Sequence, residues 1–537
     1  MMRGFVFFAV ACLALAGPLR AQSSSGAAGH PPNEPTLLEL GKPIERAMRG
    51  GEKHSYQVHA EAGQFVHVVA SATGIGVSVA LLDPGGKQLL IVDFGLGSCG
   101  PGAVSVIAED AGDLRLDVSA PSADATAGHY RMQLTQLRAP AQTDRNRTKA
   151  ERAFTEGCSL YSRGDVESAR AAAAKWRESS ALWQSLDDKS DQAVSLYSAG
   201  RAFESANDAN QALQSYTQAL PLMRAVGDRA SEAATLRNIG LVYSNLGDKQ
   251  KTLGYYIQAL PMLHAVGDRA GEVMTLGNIG AVYDRLGEKQ KALDYYNQAL
   301  PLRRAVGDRA GEAAMLNDIA SVYDALGEEQ KALDYYNQAL PLMRAVGDRL
   351  GEARTLNGIG LVDSALGEQQ KALDYYNQAL PLERVVGDRI GEAATLSNVG
   401  AVYDRLGEKQ KALDYYNQAL PLRRAVGDRA GEAITLNNIG LAYSALGEKR
   451  KALDYYNQAL PLRRTMGASA GEAVTLNNIG LVYDALGEKQ KALDYYLQAL
   501  PLLRAAGDRA HEAITLTDLG QVYCGLGENQ KALDYYN

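Results

Sequence analysis

Apolar residues over most of the chain follow the spacing of paired amphipathic helices. Within residues 427–466, Leu436, Ile439 and Tyr443 share one face of a first helix, expected over about 429–446. A second helix is expected from about 448 to 466, where Ala452, Tyr456 and Ala459 share the packing face. Between the two, Gly447 suits a left-handed turn, and Asp428 suits the N-cap of the first helix. The pattern therefore predicts a helical hairpin.

The same hairpin pattern returns every 40 residues. A sustained period of roughly 20–50 residues is typical of a solenoid of stacked units. Two divergent copies, 147–186 and 187–226, fit the same register, and residues 227–537 then hold eight repeats. These repeats begin at Gly227, Gly267, Gly307, Gly347, Gly387, Gly427, Gly467 and Gly507.

Each full repeat also places a proline inside its second helix. On a helical wheel Pro461 lies about 180° from Ala452, on the side away from the packing face. A proline removes one backbone hydrogen bond, but water can replace it on an exposed side. We therefore expect the second helix to bend at Pro461 and continue.

The preceding region, residues 36–138, alternates apolar and polar residues with a period of two. Leu114, Leu116 and Val118 alternate in this way, and Asp83–Gly86 reads as a tight turn between two strands. Regular alternation with Gly and Pro between the runs favours a β-sandwich.

The amino terminus has the features of an export signal. Arg3 precedes an apolar run, and Ala21 offers a cleavage site, so residues 1–21 are expected to be a signal peptide. Residues 22–35, rich in Ser, Gly and Pro, are expected to be a disordered spacer, and 139–146 a linker. These features predict a secreted or periplasmic protein.

The helical repeats resemble the tetratricopeptide repeat. The resemblance rests on Leu-x-x-Ile-Gly-x-x-Tyr in the first helix, for example Leu436 to Tyr443, followed by Gly, Ala, Tyr and Ala at fixed spacing. The 40-residue length resembles the longer repeats of kinesin light chains. The resemblance implies a mainly α fold, a right-handed superhelical solenoid, preceded here by the small β-sandwich domain.

Two further resemblances concern the domain order. Residues 36–138 resemble the pre-peptidase C-terminal domain of secreted bacterial proteins, with Asp83–Gly86 in its hairpin. A β domain followed by such repeats resembles the front part of bacterial proteins that end in a CHAT-type cysteine peptidase domain. The last repeat stops at Asn537, before its proline, and we interpret this end as a truncation or the absence of a following domain.

Variation among the repeats concentrates on the first helix. In the repeat family these positions line the concave groove, so the resemblance implies that the variable face binds a ligand; neutral drift at exposed positions is the alternative. The charged candidates at these positions are Asp284, Arg285, Asp324, Asp404, Arg405 and Asp484.

Asparagines recur at two adjacent positions of the same helix. An amide offers both a donor and an acceptor, so stacked amides could pair with the backbone of an extended peptide. The alternative is that these amides bond to neighbouring helices and stabilise the stacking. The candidates are Asn238, Asn278, Asn317, Asn357, Asn398, Asn438 and Asn478, while Asp318, Gly358 and Asp518 interrupt the series.

Composition narrows the function classes further. The net charge is −7 over 537 residues, without a basic block that would indicate nucleic-acid binding. Phosphate loops, zinc-protease motifs and nucleophile elbows are missing from the sequence, so no catalytic residue, cofactor or metal site is expected.

Three hypotheses for function follow. The first is a non-catalytic extracytoplasmic scaffold that binds extended peptide segments of partner proteins in its groove. The second is the recognition portion of a truncated CHAT-type peptidase, and the third is a purely structural spacer.

Overall fold

The computed structural model of the protein describes residues 35–94, 103–120, 127–467 and 469–537. The expected signal peptide, 1–21, lies outside these residues, as does the expected spacer apart from its last residue. The described residues form two compact units, which we call the amino-terminal unit, residues 35–282, and the carboxyl-terminal unit, residues 283–537.

The amino-terminal unit begins with nine described β-strands in two sheets. One sheet has the order β1-β3-β8-β5-β6 and the other β2-β9-β4-β7, and their inner faces enclose one apolar core. The strands are β1 (Thr36–Leu37), β2 (Pro43–Met48), β3 (Lys53–Ala60), β4 (Phe65–Thr73), β5 (Val77–Leu82), β6 (Gln88–Phe94), β7 (Ala103–Ile107), β8 (Gly112–Ser119) and β9 (Gly128–Arg138).

The alternating pattern produces this sandwich in the predicted way. Leu114, Leu116 and Val118 of β8 are all buried, and they pair across antiparallel neighbours in register. The predicted turn joins β5 to β6: the Lys87 N–H donates to the Asp83 carboxylate at 2.8 Å, and Gly86 has a φ of +85°. The β-sandwich expected before the repeats is confirmed.

Twenty helices follow in the described residues. They are α1 (Gln142–Tyr161), α2 (Val166–Ser185), α3 (Lys189–Ser205), α4 (Ala209–Val226), α5 (Arg229–Asn245), α6 (Lys249–Val266), α7 (Arg269–Arg285), α8 (Lys289–Ala305), α9 (Arg309–Ala325), α10 (Glu329–Val346), α11 (Arg349–Ala365), α12 (Gln369–Val386), α13 (Arg389–Arg405), α14 (Lys409–Val426), α15 (Arg429–Ala445), α16 (Lys449–Thr465), α17 (Ser469–Ala485), α18 (Lys489–Ala506), α19 (Arg509–Gly525) and α20 (Asn529–Tyr536). None of the helices in the described ranges combines the length and apolar character that crossing a membrane requires.

One boundary differs from its prediction. The segment 139–146 was expected to be a linker, but α1 already begins at Gln142. The Asp144 carboxylate accepts the Ala141 N–H at 2.6 Å and also binds the Arg138 guanidinium at 2.6 Å. These contacts fix the first turn of α1 directly after β9, because they satisfy a backbone donor that the helix itself leaves open.

Sequence signals set the ends of the repeat helices. Before α15, the Asp428 side chain accepts the Gly431 N–H at 2.9 Å, which is the predicted N-cap. After α15, Gly447 has a φ of +81°, and after α14 Gly427 has a φ of +71°, so both turns use the left-handed conformation that glycine adopts without strain.

The packing within a repeat also follows the predicted phase. Ala452, Tyr456 and Ala459 are buried on α16, and a Cβ added at Gly440 of α15 would lie 2.5 Å from the Tyr456 ring. Glycine therefore permits the close approach of the two helices. Tyr455 packs at the edge instead, where its ring stacks on Tyr443 with centroids 5.5 Å apart.

The helices continue through their prolines, as expected. Pro461 is exposed and lies inside α16, and the seven equivalent prolines are likewise exposed within their helices. The exposed side is where water can satisfy the carbonyl that each proline leaves without a backbone donor.

Candidate functional site

One variable position of the first helices is open to solvent. Leu361, Leu441 and Leu481 occupy one equivalent position and expose about two fifths of their surface (43%, 42% and 42%), although leucine is usually buried. Each of these leucines lies three residues after the asparagine position that precedes the Ile-Gly pair, so both fall on one side of the helix. We call this side the first-helix face.

The earlier asparagine position bonds to the next repeat. The Oδ1 atom of Asn317 accepts the Thr355 hydroxyl at 3.0 Å, and Asn357 donates to the Thr395 hydroxyl. The same contact recurs further along, where Thr515 donates to the Asn477 Oδ1 atom at 3.0 Å. These amides therefore connect consecutive first helices.

The later asparagine position is used in two ways within the carboxyl-terminal unit. Asn398 donates to the Asn357 Oδ1 atom at 3.1 Å, and Asn478 donates to the Asn437 Oδ1 atom at 3.2 Å. By contrast, no hydrogen bond joins the Asn438 side chain to another residue in the described part of the chain. Some asparagine side chains therefore bond to neighbouring repeats and stabilise their stacking, which was the alternative interpretation of the series. Others still have donors or acceptors available to a ligand.

In the amino-terminal unit the corresponding asparagines reach tyrosine hydroxyls. The Nδ2 atom of Asn238 lies 3.3 Å from the Tyr197 hydroxyl and 3.4 Å from the Tyr216 hydroxyl. Asn278 donates to Tyr256 at 3.3 Å. The predicted asparagines therefore do not form one uniform ladder.

Asn438 lines a small cavity on the first-helix face. The cavity has a volume of about 150 Å³ and lies among Asp404, Arg405, Tyr416 and Leu441. It combines an amide, a carboxylate, a guanidinium and an apolar side chain, which together suit contact with a peptide backbone and its side chains.

Three of the six predicted charged candidates are paired within their own repeat, and a fourth bonds to the preceding repeat. Lysines at the start of the following second helix bind the aspartates Asp284, Asp404 and Asp484 at 2.7, 2.8 and 2.5 Å. Arg405 donates to the Ser364 carbonyl and hydroxyl oxygens of the preceding repeat at 2.9 and 2.8 Å. The ion pairs neutralise these three aspartates.

Asp324 differs from its equivalents. Its repeat has Glu329 where the lysine stands elsewhere, so both groups at this point are acidic. Burial raises the pKa of Asp324, and the negative charge of Glu329 raises it further. Asp284 and Arg285 lie near the buried Tyr296 hydroxyl, whose pKa burial raises; Asp284 adds to that increase and Arg285 opposes it.

A larger polar cavity was missed by the sequence interpretation. It lies in the amino-terminal unit, has a volume of about 420 Å³, and is lined by Tyr161, Tyr197, Arg201, Glu204, Ser205, Arg237 and Asn238. Only Asn238 was among the candidates. Alignment of the divergent copies in the common register would have shown Arg201 at the position of Leu441, since they lie six periods apart.

The described residues contain no group of three or more His, Cys, Asp or Glu side chains that could hold a metal ion. Two histidines of the β-sandwich have hydrogen-bond partners nearby. His54 bonds to the Tyr130 hydroxyl at 2.7 Å, and His59 bonds to Asp113 at 2.8 Å.

The sequence model of the tetratricopeptide repeat family matches residues 231–305, 311–384, 382–425, 391–465 and 471–537. Together these segments span more than half of the chain. The chain belongs to the tetratricopeptide repeat family. The predicted fold class, a tetratricopeptide α-solenoid after a small β-sandwich, is thereby confirmed. The β-sandwich and the helices α1 to α4 lie outside the matched segments.

Several solved structures are similar to this chain at low sequence identity. A signal transduction ATPase with a tetratricopeptide repeat sensor from Pyrococcus horikoshii is 15% identical, with a TM-score of 0.47 over 68% of this chain and 52% of that one. The quorum sensor NprR of B. thuringiensis is 18% identical, with a TM-score of 0.47 over 66% and 97%.

BtubC from P. vanneervenii is 22% identical, with a TM-score of 0.36 over 38% of this chain and 87% of that one. At these identities the likeness concerns the fold alone. No curated protein matches the chain.

The tetratricopeptide repeats thus divide into a constant and a variable part. The second helices repeat nearly the same residues and supply the buried Tyr and Ala positions, while the first helices carry the variation on an exposed face. A face that varies in chemistry on a constant support is suited to recognition.

Proposed function

We propose that the protein is a non-catalytic extracytoplasmic scaffold whose tetratricopeptide repeats bind extended peptide segments of partner proteins. The peptide lies along the first-helix face. The observation that carries this proposal is the unbonded amide of Asn438 beside Asp404, Arg405 and the exposed Leu441. The extracytoplasmic location rests on the signal-like residues 1–21 of the sequence.

The geometry provides distinct contacts for the two parts of a peptide. The Asn438 amide supplies one acceptor and two donors for backbone groups, which are present whatever the peptide sequence. The Oδ1 atom of Asn478 remains available as an acceptor, because the bond to Asn437 uses its amino group. Leu441 and Leu481 offer apolar contact to side chains, so they select among sequences.

The test replaces the amides on the first-helix face and compares a matched pair on the opposite side. We expect Asn438→Ala with Asn478→Ala to weaken peptide binding about tenfold or more, because two hydrogen bonds contribute roughly 1–3 kcal/mol together. Asn417→Ala with Asn457→Ala changes the same residue type at exposed positions of the second helices, and should leave affinity unchanged.

Peptides are first selected from a random library displayed on phage against the purified chain. Affinities of the selected synthetic peptides are then measured by fluorescence polarisation for both variants, and thermal unfolding is recorded for each. Failure to select any peptide would favour the structural spacer. Equal affinities of the two variant pairs would show that the peptide lies elsewhere.

A further inference from the structure

Seven repeats in the described part of the chain stack two tyrosine rings on each other. In each case one tyrosine lies on the first helix and the other on the second helix of the same repeat. The ring centroids lie 5.4–5.6 Å apart and the ring planes are inclined by 7–18°. We call them the stacked pairs: Tyr243–Tyr255, Tyr283–Tyr295, Tyr323–Tyr335, Tyr403–Tyr415, Tyr443–Tyr455, Tyr483–Tyr495 and Tyr523–Tyr535.

The stacked pairs lie within reach of solvent. All fourteen tyrosines are partly exposed, whereas Tyr456, one residue after Tyr455, is buried. A lysine ammonium lies over the first ring of each pair, as Lys451 does 5.1 Å from the centroid of Tyr443. Glu448 in turn binds Lys451 at 2.5 Å. These contacts hold the first ring in place and leave the pair accessible to a reagent in solution.

The two hydroxyls of a stacked pair lie close together. Burial raises the pKa of Tyr523, and the Tyr535 hydroxyl raises it further, in part through a hydrogen bond between the two hydroxyls. Burial likewise raises the pKa of Tyr455, and the Tyr443 hydroxyl adds to that increase. A hydrogen bond brings two hydroxyl oxygens to within about 3 Å. The ring carbons beside the hydroxyls are therefore neighbours as well, and these are the carbons at which two tyrosyl radicals couple.

The sequence keeps the phenol group wherever a pair forms. Repeat 347–386 has Asp363 in place of the first tyrosine and therefore no pair. The divergent copy 187–226 has Phe203 at the first position and Ser215 at the second. Phenylalanine thus occurs at these positions only where its partner tyrosine is missing. Stacking needs the aromatic rings alone, whereas oxidation by one electron needs the phenol hydroxyl.

We propose that the stacked pairs are sites of oxidative cross-linking, where a carbon–carbon bond between the two rings joins the helices of one repeat as dityrosine. The oxidant is hydrogen peroxide, used by a haem peroxidase. Each phenol gives one electron to the peroxidase and one proton to water, and the two radicals couple at the carbons beside the hydroxyls. Each of these carbons then loses its hydrogen as a proton, and each phenol oxygen regains one. In sum, two tyrosines and one hydrogen peroxide give one dityrosine and two water molecules.

The stacking favours coupling within a pair over coupling between chains. Two rings held in contact react without diffusing together, which corresponds to an effective concentration far above that of the protein in solution. The new bond closes a short loop, for example from Tyr443 to Tyr455, and should stabilise the repeat by restricting the unfolded chain, as a disulfide does. The inference goes beyond the proposed peptide binding and does not depend on it.

The experiment treats the purified full chain with a haem peroxidase and hydrogen peroxide. Monomers and covalent dimers are separated by denaturing gel electrophoresis, and dityrosine is measured in each by its fluorescence. We expect about tenfold or more dityrosine in the monomers than in the dimers. Mass spectrometry then locates the bond of Tyr483 with Tyr495, since the tryptic peptides 465–489 and 492–504 each occur once in the chain. These peptides should appear joined, with the loss of two hydrogen atoms.

A matched pair of variants assigns the bond to the stacked tyrosines. Tyr483→Phe keeps an aromatic ring in the stack but removes the phenol, so it should abolish the joined peptides. Tyr496→Phe makes the same change at a buried tyrosine next to Tyr495 and should leave their yield unchanged. Circular dichroism checks the fold of each variant.

The repeat without a pair offers a gain of cross-linking. Asp363→Tyr supplies the missing partner of Tyr375, so the peptides 355–371 and 372–384 should become joined after oxidation, whereas they remain separate in the wild type. This variant distinguishes the stacked arrangement from the general reactivity of exposed tyrosines, because Tyr375 is already partly exposed.

Three results would overturn the proposal. Dityrosine confined to covalent dimers would show that the rings of a pair do not couple with each other. Equal yields of the joined peptides in Tyr483→Phe and Tyr496→Phe would place the bond elsewhere. An unchanged melting temperature of the cross-linked monomer would show that the bonds do not fasten the helices. None of these results bears on peptide binding through Asn438, which the phage selection tests separately.

Discussion

At the scale of single residues, Glu383 is a carboxyl group in an unfavourable, buried position. Only 2% of the residue is exposed, its Oε1 atom accepts the Thr395 hydroxyl at 2.8 Å, and its Oε2 atom is buried without a partner. Burial raises the pKa of Glu383 from 4.5 to about 7, Asp388 and Glu392 contribute to the increase, and Thr395 and Arg384 oppose it. Equivalent positions in the neighbouring repeats carry Met343 and Arg423.

This residue makes folding dependent on pH in a defined direction. The folded state holds the proton more tightly than the unfolded state, so Glu383 favours folding fully below pH 4.5, and that contribution is lost as the pH rises through about 7. We expect Glu383→Leu to raise the melting temperature more at pH 8 than at pH 5, by an amount corresponding to roughly 1–3 kcal/mol.

Met343→Leu serves as the control, because it changes the same place in the preceding repeat without a titrating group. Its effect on the melting temperature should be the same at both pH values. The prediction would be contradicted if the melting temperatures of the wild type and Glu383→Leu differed by the same amount at pH 5 and at pH 8.

At the scale of the elements, two departures from the repeat pattern lie next to the same tyrosine ring and are related through its packing. The repeat 307–346 has Ala320 where the others have glycine, and the next repeat has Gly358 where most have asparagine. In most repeats the tyrosine of the second helix packs against that glycine, as Tyr456 packs against Gly440. Here Tyr336 packs against Gly358 instead, since a Cβ there would lie 2.5 Å from its ring. We infer that the extra methyl group of Ala320 takes up space that the tyrosine ring uses in other repeats, and that Gly358 makes room for the ring.

A double-mutant cycle tests this coupling. Gly358→Asn alone should destabilise the protein by roughly 1–3 kcal/mol, because the new side chain overlaps the Tyr336 ring. With Ala320→Gly in the background, the ring regains its usual place and the loss should shrink by about 1 kcal/mol or more. Urea unfolding of the four proteins measures the interaction energy.

The equivalent positions of another pair of repeats, Gly440 and Asn478, give the matched control. Gly440→Ala alone should lower the stability of the protein. Asn478→Gly should restore part of that stability, since the Tyr456 ring can then pack against residue 478 as Tyr336 packs against Gly358. Strict additivity in both pairs would exclude the coupling.

The sequence allowed the helices to be predicted more fully than the contacts between repeats. Asp428, Gly447 and the buried Tyr456 act locally, so spacing within one hairpin was sufficient to assign their roles. The bonds of Asn477 to Thr515 and of Asn478 to Asn437 join residues 38 and 41 positions apart, and they depend on how neighbouring hairpins stack. Seven of the eight similar repeats carry Thr two residues before the earlier asparagine position, and this recurrence was the available signal.

The charged cavity was missed for a different reason. Arg201 and Glu204 lie in a divergent copy, whereas the candidates were drawn from the eight similar repeats. Residues 142–146 of the expected linker form the first turn of α1, because Asp144 and Arg138 make a contact across the end of β9 that no helical or strand periodicity reports.

At the scale of the whole molecule, the β-sandwich is fastened to the first helix through a buried carboxyl. Glu151 of α1 is fully buried, and its two oxygens accept the Ser105 N–H and hydroxyl, each at 2.7 Å. Burial raises the pKa of Glu151 to about 8 and lowers that of His67, which bonds to the same serine, to about 4. The buried polar groups of Glu151 and Ser105 at this junction therefore satisfy one another, and both residues belong to the amino-terminal unit.

Loss of these bonds should loosen the junction. We expect Glu151→Leu to speed tryptic cleavage after Arg138 about tenfold or more, because it leaves the buried Ser105 N–H without an acceptor, a cost of roughly 1–3 kcal/mol. Mass spectrometry follows the appearance of the fragment that begins at residue 139. Glu156→Leu, on the same helix but partly exposed, is the control, and equal cleavage rates would contradict the prediction.

The pairing of Ala320 with Gly358 has a consequence for inheritance. Genes with near-identical repeats gain and lose whole units by unequal crossing-over, and most 40-residue units here would tolerate this because their second helices bury the same Tyr and Ala residues. Ala320 and Gly358 lie in adjacent units, so a crossover between them would leave a displaced tyrosine facing an asparagine. These two units are therefore expected to be transmitted together, as one 80-residue segment in a gene whose other repeats are interchangeable.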